Sequence, residues 1–218
     1  MSTTRQELKE RVSADFETGK KAFAEAMAKA QTQVDEAAAE IKKLRANLKT
    51  ETTEAKTKAL AQLDELTKKL DSARGDQQAK IEARLKELHT QIEALKVDLK
   101  HATAAEKTAV EAKVKTLEGE YESARSTFNS TLEAELAEAK ARIETIGETV
   151  SEKKTAAKAA LQAKITDLHT KHEAAQKKVQ ELKKANAAAY TELQRGARAA
   201  LNDLHTAFHH AKAEIARS

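Results

Sequence analysis

The stretch IEARLKELHTQIEALKVDL, residues 81–99, decides the fold of this chain. Its large apolar residues recur every three or four positions, at Ile81, Leu85, Leu88, Ile92, Leu95 and Leu99. This spacing places them on one face of an α-helix, whereas a half-buried strand would alternate at every second residue. The same stripe continues in both directions, from Ile41 to Ile215, with a mean step of about 3.6 residues. The pattern therefore predicts long, nearly straight amphipathic helices.

The composition of the whole chain favours the same structure. The 218 residues include no proline and only five glycines, the two residues that most often end helices. Leu, Ile, Val and Phe together number 38, so the apolar supply suits a thin seam between helices better than a thick core. We expect an all-α fold, an elongated antiparallel three-helix bundle or coiled coil. The alternative is one near-continuous rod within an oligomer.

Two glycines are the strongest candidates for turns. Gly75 follows Arg74 and precedes Asp76, and Gly147 is followed by a capping box formed by Thr149 and Glu152. Turns at these glycines predict one elongated domain, residues 1–218, with helices at about 4–74, 76–146 and 148–217. Weaker turn candidates are the helix-poor stretches 50–53 and 129–131.

The apolar stripe defines a seam at which we expect the helices to pack. The seam residues are Leu63, Leu66, Leu70, Leu85, Leu88, Ile92, Leu95, Leu99, Leu117, Phe128, Ile143, Ile146, Leu161, Ile165, Leu168, Leu182, Leu201, Leu204 and Phe208.

Histidine pairs are the weak candidates for a metal site. His169 and His172 lie three residues apart and His205 and His209 four apart, so each pair shares a helix face. A specific site usually needs a third ligand, and Glu173 and Asp203 lie nearby in sequence, but no HExxH motif occurs. Surface histidines are the simpler interpretation. The chain has no cysteine, no glycine-rich phosphate loop and no nucleophile motif. We therefore expect no cofactor, no metal, no small-molecule substrate and no enzymatic activity.

The last third of the chain is basic. Residues 151–218 hold 13 Lys and Arg against 7 Asp and Glu, a net charge of +6, whereas residues 1–150 have a net charge of −2. The candidates for a surface that binds anions are Lys153, Lys154, Lys158 and Lys164. An acidic membrane is one possible partner. Nucleic acid is a weaker one, because the basic third has no aromatic platform for stacked bases.

Ala-, Lys- and Glu-rich amphipathic helices over the full length resemble those of the exchangeable apolipoproteins and the late-embryogenesis-abundant proteins. This resemblance implies helices that bind lipid surfaces. The chain departs from the apolipoproteins, which have proline between their helical repeats, because it contains no proline.

The leading functional hypothesis is a structural or scaffolding coiled-coil protein that self-associates through its seam, with a homo-oligomer or another coiled-coil protein as partner. The alternatives are binding to acidic membrane surfaces and weak nucleic-acid binding through the basic third. The N-terminus lacks the apolar segment of a signal peptide, so we expect a cytoplasmic protein.

Overall fold

In the computed structural model the backbone is described for residues 2–48, 53–151 and 155–217, and side chains for 17–48, 58–104, 106–151 and 158–215. The described residues form five α-helices and no strand, so the predicted all-α class is confirmed. The helices are α1 (Ser2–Leu48), α2 (Thr53–His101), α3 (Ala104–Ser151), α4 (Thr155–Lys183) and α5 (Ala187–Arg217). Consecutive helices pack against each other, which excludes the single unbroken rod.

The chain divides into two compact units, residues 1–125 and 126–218, and the boundary falls within α3. In unit 1, α1 and α2 form an antiparallel hairpin, because Gln31 lies opposite Gln77 while Gly19 lies next to Arg84. The first part of α3 runs antiparallel to α2, since Glu118 lies near Lys96 while Glu120 contacts Arg84. The prediction of one elongated domain stays a prediction.

A strict heptad pattern holds the α1–α2 hairpin together. Apolar residues follow at steps of four and three in both helices, at Val34, Ala37, Ile41, Leu44 and Leu48 of α1 and at Ala59, Leu63, Leu66, Leu70 and Ala73 of α2. Such steps are typical of a coiled coil and bring one stripe of each helix against the other. The buried members of this cluster are Val34, Ile41, Leu48, Ala59, Leu63 and Leu70.

Unit 2 is an up-down-up bundle of three helices. The second part of α3 runs antiparallel to α4, because Leu136 contacts His172 and Glu133 contacts Lys183. It runs parallel to α5, as the contact of Asn129 with Tyr190 shows together with that of Glu135 with His205. All three helices contribute to one core cluster, which includes Ile143, Leu161, Ile165, Leu168, Leu204 and Phe208.

The seam of α3 changes its period where the chain passes from unit 1 to unit 2. Ala124, Phe128, Leu132 and Leu136 are all buried and follow at successive steps of four. Such an insertion into a heptad pattern unwinds a coiled coil locally and rotates the seam around the helix.

Capping residues fix two of the helix starts. The Glu106 carboxylate accepts hydrogen bonds from both the backbone N–H and the hydroxyl of Thr103, at 3.1 and 2.9 Å, just before α3. Asn186 precedes α5, and its side-chain oxygen accepts a hydrogen bond from the backbone N–H of Ala189 at 2.9 Å. Both satisfy groups that a helix start leaves open.

The predicted turns at Gly75 and Gly147 are wrong. Gly75 lies within α2 and Gly147 within α3, and neither glycine has a positive φ. A glycine inside a helix costs only about 1 kcal/mol, which packing on both sides of it exceeds. The helix bounds predicted at about 4–74, 76–146 and 148–217 are therefore wrong too.

The weaker turn candidates had different outcomes. Residues 129–131 lie inside α3, so that candidate is wrong. The candidate at 50–53 falls where α1 ends and α2 begins, although residues 49–52 lie outside the described residues.

The polar segment around Gly75 is buried in the bundle. Arg74, Gln77 and Gln78 are each no more than 5% exposed. The Gln77 amide donates a hydrogen bond to the side-chain oxygen of Gln31 on α1, at 2.9 Å. Because buried polar groups are tolerated when hydrogen-bonded, polarity at this point does not imply a surface turn.

Candidate functional site

An open groove runs along one side of the α1–α2 hairpin and is called here the α1–α2 groove. Its half-buried floor consists of Ala37, Leu44, Leu66 and Ala73. Its exposed walls include Glu36, Glu40 and Lys43 from α1, and Glu65, Lys69 and Asp76 from α2. The larger part of the groove encloses about 590 Å³. Along α1 the groove covers residues 33–47, about 21 Å of helix.

The groove differs from the seam of unit 2 in how completely its apolar residues are covered. Leu44 and Leu66 occupy heptad positions, yet they are only half-buried. Leu168 and Leu204 occupy comparable positions in unit 2 and are fully buried, because a third helix covers them. The floor of the groove is therefore a coiled-coil surface that two helices leave open.

A charged network joins the three helices of unit 1. The Arg84 guanidinium is 4% exposed, and it bonds Glu120 of α3 at 2.9 Å and Glu87 of its own helix at 2.9 Å. Lys20 of α1 lies 3.3 Å from the same Glu120 carboxylate. A buried guanidinium requires such partners, since an uncompensated buried charge is strongly unfavourable. This network is a structural contact between helices.

Polar bonds also fix α3 against its neighbours in unit 2. The Tyr190 hydroxyl donates to the Asn129 side-chain oxygen at 3.1 Å, and Lys183 pairs with Glu133. The Arg142 guanidinium lies 5.8 Å from the centre of the Phe208 ring, within the range of a cation–π interaction. These contacts set the register of the bundle.

One histidine of each candidate pair contacts α3. His172 Nε2 lies 3.0 Å from the carbonyl oxygen of Leu136, and His205 Nε2 lies 3.2 Å from Glu135 Oε1, so both bind α3. Their sequence neighbours His169 and His209 are exposed to solvent. Among the residues whose side chains are described, no three His, Cys, Asp or Glu form a group that could hold a metal ion.

The lysine candidates for a surface that binds anions are only partly described. Lys158 and Lys164 are exposed on α4, and Lys158 Nζ lies 3.3 Å from the carbonyl oxygen of Ser151. Lys153 and Lys154 lie outside the described residues.

Most of the predicted seam lies in the interior. Leu66, Leu95, Leu99 and Ile146 are half-buried, and the other predicted seam residues are buried. The seam predicts that Leu95 and Leu99 are mostly buried, and in the structure both are half-buried. They lie in the last turns of α2, and Val97 between them is the one large apolar residue that is exposed among the described side chains.

Tyr121 is a buried residue whose pKa is shifted by its surroundings. Burial raises the pKa of its phenol, although the nearby Arg125 guanidinium acts in the opposite direction. The Arg125 guanidinium lies 5.9 Å from the centre of the Tyr121 ring, and the His89 ring lies 6.3 Å away on α2. The pair of aromatic rings contributes to the contact between α2 and α3.

Sequence reasoning missed the polar residues that join helices. Arg84 immediately precedes Leu85, which lies on the seam. This proximity was the feature of the sequence that indicated a buried charge. Its partner Glu120 could not be chosen among 35 acidic residues, because the pairing depends on how α2 and α3 align. The cap at Thr103 carried a readable signal, the spacing of Thr103 and Glu106.

No protein-family description, curated protein or solved structure matches this chain. None of the helices, as far as their residues are described, is long and apolar enough to cross a membrane. The local geometry is therefore the basis for a functional proposal.

Proposed function

We propose that this chain is a structural, scaffolding coiled-coil protein that acts through helix–helix self-association. The observation that carries the proposal is the half-buried heptad surface formed by Leu44 and Leu66 on the α1–α2 hairpin. Apolar heptad positions gain most of their stabilising free energy when a further helix removes them from water. A protein that offers such a surface has a physical reason to associate.

The described side chains also support a non-catalytic role. Among their buried charges, Arg84 pairs with Glu120 of another helix and Arg125 pairs with Glu122 of its own helix. The two overlapping parts of the groove lie between α1 and α2 and share Glu40, Leu66 and Lys69. An extended helical surface suits recognition of another helix better than enclosure of a small substrate.

Sedimentation velocity over a wide range of concentrations tests the proposal. We expect the mass to rise from that of the 23.9 kDa monomer to a defined oligomer as the concentration increases. A monomer at every concentration would contradict self-association.

The exposed Lys158 and Lys164 favour one competing function, attachment to an anionic surface. Flotation with vesicles that contain phosphatidylserine measures that activity directly. A salt-dependent gel shift with duplex DNA examines the nucleic-acid alternative. Binding in either assay by a chain that stays monomeric would replace the scaffolding proposal.

A further inference from the structure

We infer that the α1–α2 groove is the docking site for a second copy of this chain, hairpin against hairpin. The inference rests on the proposed function, because it names the surface through which self-association occurs. It concerns the floor residues Leu44 and Leu66 and the charges on the walls beside them.

The shape of the groove suits a helical partner. The groove extends over about four turns of each helix, and a docked helix pair of that length would cover it completely. Ala37 and Ala73 lie at the end of the floor nearest Asp76, where their small side chains allow a partner backbone to approach closely. Two such hairpins packed together would form a four-helix bundle with the leucines inside.

The wall charges point to a second copy as the occupant. Within the part of the chain that the structure describes, five wall residues form no ion pair: Glu36, Glu40, Asp76, Lys43 and Lys69. These side chains therefore offer three negative and two positive charges to a partner. An identical hairpin brings both signs at the same spacing, so lysines of one copy can face glutamates of the other.

An acidic membrane fits these walls less well. The acidic residues Glu36, Glu40, Glu65 and Asp76 outnumber Lys43 and Lys69, so the groove would repel an anionic surface. A partner of one charge sign would leave the wall residues of that same sign without a partner. The second copy is the occupant that the charges favour.

A pair of charge-reversed variants of the full chain tests the inference. K43E/K69E makes the described walls acidic, and E36K/E40K makes them predominantly basic. We expect each variant alone to self-associate at least tenfold more weakly than the wild type, whereas a 1:1 mixture recovers an oligomer of wild-type mass. Sedimentation velocity measures the masses, and circular dichroism verifies that the helices remain folded.

The matched control is K80E/K86E, which makes the same charge change at exposed positions of α2 outside the groove. We expect this variant to self-associate as the wild type does. If net charge alone governed association, K80E/K86E would self-associate as weakly as K43E/K69E. That result would overturn the assignment of the groove.

The other outcomes separate the two proposals. A wild-type chain that stays monomeric defeats both the proposed function and the docking site. If the wild type self-associates and the groove variants do so equally well, self-association stands and the docking site is wrong. If vesicles containing phosphatidylserine bind the wild type but do not bind K43E/K69E, the groove binds lipid, and the second copy is rejected as its occupant.

Discussion

At the scale of single residues, the two carboxylates that bind Arg84 differ in what surrounds them. Glu120 is 18% exposed and bridges α2 to α3, whereas Glu87 is 49% exposed and lies one turn from Arg84 on the same helix. An ion pair that is largely removed from water is strongly destabilised when one partner is lost, whereas a surface pair contributes little. The contributions of a buried and an exposed ion pair to stability can therefore be compared at one residue, Arg84.

We expect Glu120→Gln to lower the free energy of unfolding by roughly 1–3 kcal/mol, because it leaves Arg84 and Lys20 without their shared negative charge. Glu87→Gln is the control and should cost less than about 0.5 kcal/mol. Urea denaturation followed by circular dichroism measures both. Equal effects of the two substitutions would show that the contact between helices is not a significant source of stability.

Tyr121 makes the stability of unit 1 depend on pH in the alkaline range. Because burial raises the pKa of its phenol in the folded state, the unfolded chain loses this proton first as the pH rises above about 10. The stabilisation is fully present below that pH and is lost as the pH rises through the folded pKa. We expect Tyr121→Phe to have a shallower loss of stability between pH 9 and 11 than the wild type, as measured by urea denaturation. Identical slopes would contradict this assignment, since lysine titration is common to both proteins.

At the scale of helices, Gly75 and Gly147 are the positions where propensity and packing disagree. A Cβ atom added at either position would meet nothing within 4 Å, and neither backbone needs a positive φ. Both helices therefore have room for a better helix former.

We expect Gly75→Ala and Gly147→Ala each to raise the free energy of unfolding by about 0.5–1 kcal/mol. Thermal unfolding followed by circular dichroism shows this as an increase in Tm. If either glycine were the turn that the sequence alone predicts, alanine would destabilise the protein instead.

At the scale of the whole molecule, stability depends on how much apolar area the chain covers. Ordering the backbone costs about 1–2 kcal/mol per residue, and a chain with 38 Leu, Ile, Val and Phe has a small apolar supply to offset it. The half-covered Leu44 and Leu66 add a surface whose burial would require a partner.

We therefore expect the Tm to rise with protein concentration, because mass action stabilises any folded state that associates. Differential scanning calorimetry over a hundredfold range of concentration provides the measurement. A Tm that does not change over that range would mean that the folded monomer stabilises itself.

The sequence by itself determined the helices and most of the seam. Apolar steps of three and four residues and the lack of proline act within a few turns, so residues such as Leu88 and Leu168 could be assigned to the interior without knowledge of any partner helix. The cap at Thr103 belongs to the same local kind of information, although its signal was overlooked.

Only the tertiary structure decided where the chain turns and which polar residues are buried. The cost of a glycine within a helix and the gain from a cap are both about 1 kcal/mol, so neither fixes a turn until helix packing adds its larger contribution. The pairing of Arg84 with Glu120 and the open floor at Leu44 likewise depend on the alignment of separate helices. That alignment is a property of the assembled bundle, because it arises from contacts between residues far apart in the sequence.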